Sequence, residues 1–262
     1  MSEGLRERVF CPKCGDYVKP RVERSITPTG ELVIEYHCPV HGLLETEKRR
    51  IFGDNKSRVD GGLYVALEGI DGSGKTTQAA MLYEKLSAEG FQVVIVREPW
   101  VPAIKEFLYK HDLDVEAEVY LFAADRIILQ REVVLPSLRA GKIVVSDRSV
   151  FASLAYQSSR GADQDFILAV NKSVRFPDVV VLLDLPVEEA MKRLSSRVAQ
   201  TRFEDPGYME KVRAKYLQLA EEYPEKFIVV DASKPPEEVN REILREIVSI
   251  VRSRIRSEPG ER

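Results

Sequence analysis

Five short runs of consecutive apolar residues punctuate the chain beyond residue 60, at 63–67, 92–96, 142–146, 179–183 and 227–230. They are rich in Val, Ile and Leu and do not alternate with polar residues. That pattern belongs to strands buried on both faces of a parallel sheet. Helical periodicity fills the intervals, beginning at 77–86, with its longest stretch at 115–139. Strands separated by crossover helices predict an α/β fold, a doubly wound five-stranded parallel sheet. Its ligands should bind beyond the carboxyl ends of the strands. The polar residues at or just past those ends are Asp71, Arg97-Glu98, Asp147-Arg148 and Asp231.

The first 50 residues follow a different period. From 18 to 36, Val22, Ile26, Leu32, Val33 and Ile34 flank Pro28-Thr29-Gly30 as the two arms of a hairpin. All three cysteines fall here: Cys11-Pro12-Lys13-Cys14-Gly15, then Cys38-Pro39-Val40-His41-Gly42. Each half ends in glycine, as a tight metal-binding turn requires. Cys11, Cys14, Cys38 and His41 are four soft ligands at the spacing of a closed, tetrahedral, structural Zn²⁺ site, and the segment looks like a small zinc-ribbon β domain. The competing reading is a disulfide with a spare thiol, which the odd cysteine count and the paired turns disfavour. So small a module buries too little apolar surface to fold unaided, so the metal would supply much of its folding energy. The boundaries read as a ribbon at 1–50, a polar, glycine-bearing linker at 51–62 and an α/β domain at 63–255.

Composition narrows the functional classes. The chain has 262 residues, of which 44% are hydrophobic and 31% charged. It contains no apolar run of about 18 residues and no apolar N-terminal segment. A cytoplasmic protein without a membrane span is expected. The net charge of −3 argues against a mainly electrostatic nucleic-acid binder.

The sharpest chemical signal is Gly69-Ile70-Asp71-Gly72-Ser73-Gly74-Lys75-Thr76. It satisfies G-x-x-x-x-G-K-[ST], preceded by an apolar strand and followed by a helical run from Thr77. In that setting the backbone N–H groups of Gly69 to Thr77 converge on phosphate oxygens at a helix N-terminus. Lys75 would reach the β- and γ-phosphates of ATP, and the Thr76 hydroxyl would ligate Mg²⁺. The plain alternative is a glycine turn joining strand to helix, and the strand and helix on either side favour the phosphate loop.

The order of further motifs is decisive. Arg97-Glu98-Pro99, Leu121-Phe122-Ala123-Ala124-Asp125-Arg126, Asp147-Arg148 with Ala155-Tyr156-Gln157, Arg202-Phe203-Glu204, and Val212-Arg213 with Tyr216 follow the loop at characteristic intervals. From residue 63 to about 251 the chain resembles thymidylate kinases. The resemblance implies an ATP- and Mg²⁺-dependent transfer of phosphate to dTMP, giving dTDP, and a homodimer. It further implies that Arg97 and Arg148 grip the acceptor phosphate. Asp147 would stand near the metal, and Asp71 near the acceptor sugar or phosphate. Phe122 would stack on the base, and Arg126 would hydrogen-bond it. Tyr156 would face the 2′ position of the sugar. Arg193 and Arg197, with Arg202, match the lid of the subfamily that keeps its catalytic arginine there, consistent with Gly72 in the loop.

Three positions depart from the family pattern: Trp100-Val101-Pro102 replaces Gly-Gly-Thr, Ser149 replaces an aromatic or His, and Ala152 replaces a serine that Ser153 could substitute. All three are expected near the acceptor pocket. Base identity is therefore more open than catalysis. The alternatives are a kinase for another deoxynucleoside or related monophosphate, or a non-catalytic regulatory or nucleic-acid-binding protein acting through the ribbon. Intact Lys75, Thr76 and Asp147 speak against the last.

Overall fold

The computed structural model describes residues 6–26, 31–50, 59, 61–195 and 205–255. Its centre is a parallel sheet of β6 (Leu63–Glu68), β7 (Val93–Arg97), β8 (Ile143–Asp147), β9 (Val179–Asp184) and β10 (Phe227–Asp231), in the order β10-β9-β6-β8-β7. Each of the five apolar runs is thus a strand, and all pairings among them are parallel. β6 is buried at every residue. Leu63, Val65 and Leu67 join one apolar cluster while Tyr64 joins another on the opposite face. The same split recurs in β7, with Val93 and Ile95 against Val94 and Val96. Two-sided burial explains why these strands carry no alternation in sequence.

Helices complete the layers. α1 (Lys75–Ala88) leaves the phosphate loop, and α2 (Pro102–Lys110) starts on a proline, whose missing N–H costs nothing at a first turn. The long 115–139 period resolves into α3 (Val115–Leu129), a π-helical turn at Gln130–Val134 and α4 (Leu135–Arg139). Pro136 stands two residues beyond the end of that turn and cannot donate to a preceding carbonyl, so the regular ladder is interrupted there. The remaining helices are α5 (Val150–Ser159), α6 (Gln164–Val170), α7 (Val187–Leu194), α8 (Pro206–Glu222) and α9 (Pro236–Ile255). Gln78 on α1 donates to the Pro236 carbonyl and accepts from Asn240, pinning α1 to α9. Among the described residues no helix is long and apolar enough to cross a membrane.

The N-terminal segment is a small β region. β1 (Val9–Cys11) pairs with β2 (Asp16–Val18), and β3 (Arg21–Ile26), β4 (Glu31–Cys38) and β5 (Gly42–Arg50) form an antiparallel sheet. β3 and β4 are the arms of the expected hairpin; its 27–30 turn lies outside the described residues. Ile34 and Tyr36 are fully buried, and with Val9 they belong to the same contiguous apolar cluster as the sheet and helices of the larger domain. Of the 51–62 linker, 51–58 and 60 lie outside the described residues. Val59 is buried and donates its N–H to the Gly141 carbonyl.

The sheet's asymmetry is measurable. Leu67→Ala on the central strand, where the side chain is 0% exposed, should cost about 2–5 kcal/mol through lost burial and a cavity. Val229→Ala on edge strand β10, 47% exposed, should stay within about 0.5 kcal/mol. Urea denaturation of the two variants checks the contrast, and equal losses would contradict the central placement of β6.

Candidate active site

The loop after β6 bends back because its glycines occupy backbone regions closed to other residues. Gly69 has φ +137°, and a Cβ there would stand 2.6 Å from the Leu183 carbonyl. Gly72 has φ +84°, and its Cβ would meet the Ala190 carbonyl on α7 at 2.9 Å. Any side chain at position 72 would therefore collide with α7 backbone, a physical reason for glycine at this point of the loop. Lys75 opens α1, yet it is not the solvent-side charge its loop position suggests. It is 6% exposed, and its Nζ donates to the carbonyls of Gly69 and Ile70 at 2.9 Å each. Burial, together with nearby Arg148, pulls its pKa down to about 8.

Asp147 ends β8, wholly buried. Its Oδ2 accepts from the Thr76 hydroxyl at 2.5 Å and lies 3.6 Å from Arg97 Nε, while Oδ1 has no hydrogen-bond partner among the described residues. Burial opposes its ionisation, but Arg97, Lys75, the Thr76 hydroxyl and Arg148 outweigh that and hold the carboxyl below its usual range. An ionised, half-unpaired carboxylate beside a hydroxyl is the hard-oxygen donor set that Mg²⁺ prefers, so these residues fit the metal.

Arg148 adopts φ 79°, alone among the described non-glycine residues. The strained backbone turns its guanidinium onto Asp71 and over the Tyr156 ring, 4.7 Å from the centroid, with the Tyr156 hydroxyl at 3.3 Å. Strain of this kind persists where the surrounding contacts over-determine it, and here an ion pair and a ring do so.

Two cavities open at the carboxyl ends of the strands. The first is walled by Phe122, Tyr109, Tyr156, Pro99 and Ala152, with Arg126, Arg148, Asp71 and Ser153 supplying polarity. The second, the larger of the two, is lined by Gly72, Gly74, Lys75, Thr76, Thr77, Arg97, Asp147 and Arg193, with Asp71 common to both. Arg126 is 1% exposed, and its donors go to both Glu98 oxygens, Asn171, the Ser149 carbonyl and Ser153. Arg193 donates to the Ala232 carbonyl at 2.8 Å. Ser73 is buried in the loop. Arg197 and Arg202 lie outside the described residues. Asp231 lines neither cavity; it bonds Ser233 at the sheet edge.

The three departures separate. Ala152 faces the first cavity. Trp100 instead packs on the smaller apolar cluster, that of Tyr64, Val94 and Val96, and its backbone N–H donates to Asp125. Ser149 caps α5 and donates to Glu68. The sequence places Glu98 at a strand's carboxyl end but assigns it no role; in the structure it lines the first cavity and holds Arg126. Tyr109 had no signal at all, because it reaches the cavity only through the docking of α2.

In the N-terminal region Cys11, Cys14, Cys38 and His41 converge, all four ligand atoms lying within 4.8 Å of one another. Cys14 and Cys38 sulfurs are 3.8 Å apart, and His41 Nδ1 lies 3.4, 3.2 and 3.7 Å from Cys11, Cys14 and Cys38. A tetrahedron with bonds of ~2.3 Å has sulfur–sulfur edges of ~3.8 Å, so the donors fit Zn²⁺. No disulfide joins them. Hydrogen bonding to Cys11, ahead of burial and proximity to Cys38, pushes the Cys14 thiol up to about 11, while backbone N–H groups of Val40 and His41 pull Cys38 down to about 6.

A glycine loop closing the central parallel strand, a Lys-Thr pair opening the next helix and a buried aspartate beside the threonine define a P-loop nucleotide-dependent phosphotransferase. A family model described as "Thymidylate kinase" matches residues 67–243. A Thermococcus onnurineus protein named "Probable thymidylate kinase" is 40% identical over 196 residues, covering 70% of this chain and 95% of the relative. An Archaeoglobus fulgidus protein of the same name is 40% identical over 192 residues, 72% of this chain and 96% of the relative. A "Thymidylate kinase" from Halothermothrix orenii is 39% identical over 201 residues, 71% and 96%. The chain belongs to the thymidylate kinase family.

Beneath the site, Glu68 is fully buried between the Tyr216 and Ser149 hydroxyls at 2.7 Å each. Burial pushes its pKa from 4.5 up to about 7, against the pull of those hydroxyls and Arg148. The folded state thus holds a proton that the unfolded chain releases above pH 4.5. Stability should fall as pH rises from about 4.5 to 7. Asp125, which burial pushes up to about 6, acts in the same direction. Glu68→Gln should flatten the slope of Tm against pH in that window, leaving the Asp125 contribution. An unchanged slope would refute the assignment to Glu68.

Proposed function

We propose that this chain transfers the γ-phosphate of ATP to dTMP, giving dTDP and ADP, in the cytoplasm and as a homodimer. The observation that carries the reading is the meeting of two cavities at Asp71, one lined by phosphate-binding groups and one walled by aromatic rings. An acceptor seated in the aromatic cavity directs its own phosphate toward the loop. An oxygen of that phosphate attacks the γ-phosphorus, the bond to the bridging oxygen breaks, and ADP leaves, with no covalent enzyme intermediate.

The residues divide this work. Lys75 exchanges the Gly69 and Ile70 carbonyls for donor phosphate oxygens. Arg97 and Arg148 hold the acceptor phosphate as forks. Thr76 and Asp147 would hold Mg²⁺, which when bound neutralises charge developing on the phosphates. Arg193, with Arg197 from the segment outside the described residues, supplies positive charge from the side of α7. Phe122 stacks on the base, Arg126 and Ser153 bond its edge, and the Tyr156 ring excludes a 2′-hydroxyl. The donor set of Cys11, Cys14, Cys38 and His41 supports a closed, structural Zn²⁺ in a ribbon at 1–50, joined through 51–62 to a kinase domain at 63–255.

Purified protein should phosphorylate dTMP far better than UMP, with dUMP between them, since a lost methyl contact costs about 1–3 kcal/mol. A coupled assay over a panel of monophosphates reads this, and a preference for UMP, CMP or a purine would overturn the base and sugar assignments. Lys75→Ala should lower kcat by about a hundredfold or more. Because Lys75 also ties the loop together, its fold is verified by circular dichroism, and near-normal turnover would defeat the phosphate-loop assignment.

Elemental analysis of the full chain should find one zinc per chain, lost in Cys38→Ser. Metal-free protein that keeps its native melting transition would sink the ribbon reading.

A further inference from the structure

We propose that Arg21, carried on the N-terminal β region, is a phosphate-binding residue of the nucleotide site. The inference rests on the reading of the larger cavity as the place where the phosphates of ATP lie. Three consecutive β3 residues, Arg21, Val22 and Glu23, line that cavity together with Lys75, Thr76 and Arg193. β3 is seated against both α1 and β7, and Val22 packs on the main apolar cluster. The strand is therefore a fixed wall of the cavity, contributed by a part of the chain that precedes the matched family region.

The alternation of a strand puts Arg21 and Glu23 on one face and Val22 on the other. Arg21 Nη2 lies 2.6 Å from Glu23 Oε1, with the two side chains 44% and 43% exposed. An ion pair so open to water is weakly held and readily exchanged. A guanidinium binds phosphate oxygens with the same fork it offers a carboxylate, so a phosphate entering the cavity can take the place of Glu23. Glu23, 43% exposed, is solvated once Arg21 leaves it; across the hairpin it faces the like-charged Glu35, with His37 beside both. Glu23 thus acts as a placeholder that holds Arg21 toward the cavity until a nucleotide arrives.

This arrangement predicts opposite effects from neighbouring substitutions. Calorimetric titration of the full chain with ATP and Mg²⁺ should show Arg21→Ala weakening binding by about tenfold, and Arg21→Lys by less. Glu23→Gln, which removes the competing carboxylate, should tighten binding by about twofold or more. Arg8→Ala, an exposed cation of the same β region that lines no part of the cavity, should leave affinity unchanged and controls for general charge. Binding by Arg21→Ala within twofold of wild type would overturn the proposal. So would equal weakening by Arg21→Ala and Glu23→Gln, which would mark a merely structural pair; melting curves verify that both variants fold. The outcomes separate from those of the kinase reading. Wild type that binds ATP but does not turn over dTMP would break that reading and leave Arg21 standing, while normal turnover by Arg21→Ala with unchanged ATP affinity would do the reverse.

Discussion

The ammonium of Lys75 must be satisfied inside a loop with almost no solvent, and much of the site follows from that constraint. Without phosphate, the Gly69 and Ile70 carbonyls accept its protons at 2.9 Å, and Asp71 stands 4.0 Å away. Those carbonyls point inward only because Gly69 takes a φ that a side chain would forbid against Leu183. Within the loop the Ser73 N–H also donates to the Ile70 carbonyl at 3.2 Å, and the N-terminus of α1 that follows has the polarity an anion requires. Burial lowers the lysine's pKa, so a phosphate that arrives supplies charge the interior lacks.

Around this point the protein keeps charges paired in a definite order. Asp147 is shared by Thr76 and Arg97, Asp71 by Lys75 and Arg148, and Glu98 is held by Arg126 in a bidentate pair at 2.7–3.0 Å. A buried pair of this kind adds little net stability, since desolvation consumes much of the attraction, but breaking one partner is costly. Its value here is positional. Arg126 is held by Glu98, Asn171 and Ser153 at once, so the aromatic cavity has a rigid polar wall before any ligand enters.

The N-terminal β region is joined to this machinery by packing as well as by sequence. Its buried residues share an apolar cluster with the larger domain, and β3 borders the phosphate cavity. A module whose own core is small gains from such docking. At its other end Cys11, Cys14, Cys38 and His41 converge within 4.8 Å of one another, which brings two turns of the region together.

The sequence by itself determined the five parallel strands, the phosphate loop, the family and the convergence of four soft ligands. Each rests on local information: two-sided burial writes itself as unbroken apolar runs, an anion site needs glycines at set intervals, and a metal turn needs closely spaced ligands. What only the tertiary structure decided concerns residues far apart in the chain. Trp100 departs from the family pattern near the acceptor motif, yet it packs on the apolar cluster of Tyr64, Val94 and Val96 and is not among the residues lining the acceptor cavity. Tyr109 lies outside every motif, yet it walls the acceptor cavity because α2 docks there. Lys75 reads as an exposed loop charge, and it is buried because the loop folds over it. The break in the 115–139 helix and the placement of β3 against the phosphate cavity belong to the same class. Period and spacing record which face of an element is buried, but not which neighbour buries it; that choice is made by packing among elements dozens of residues apart.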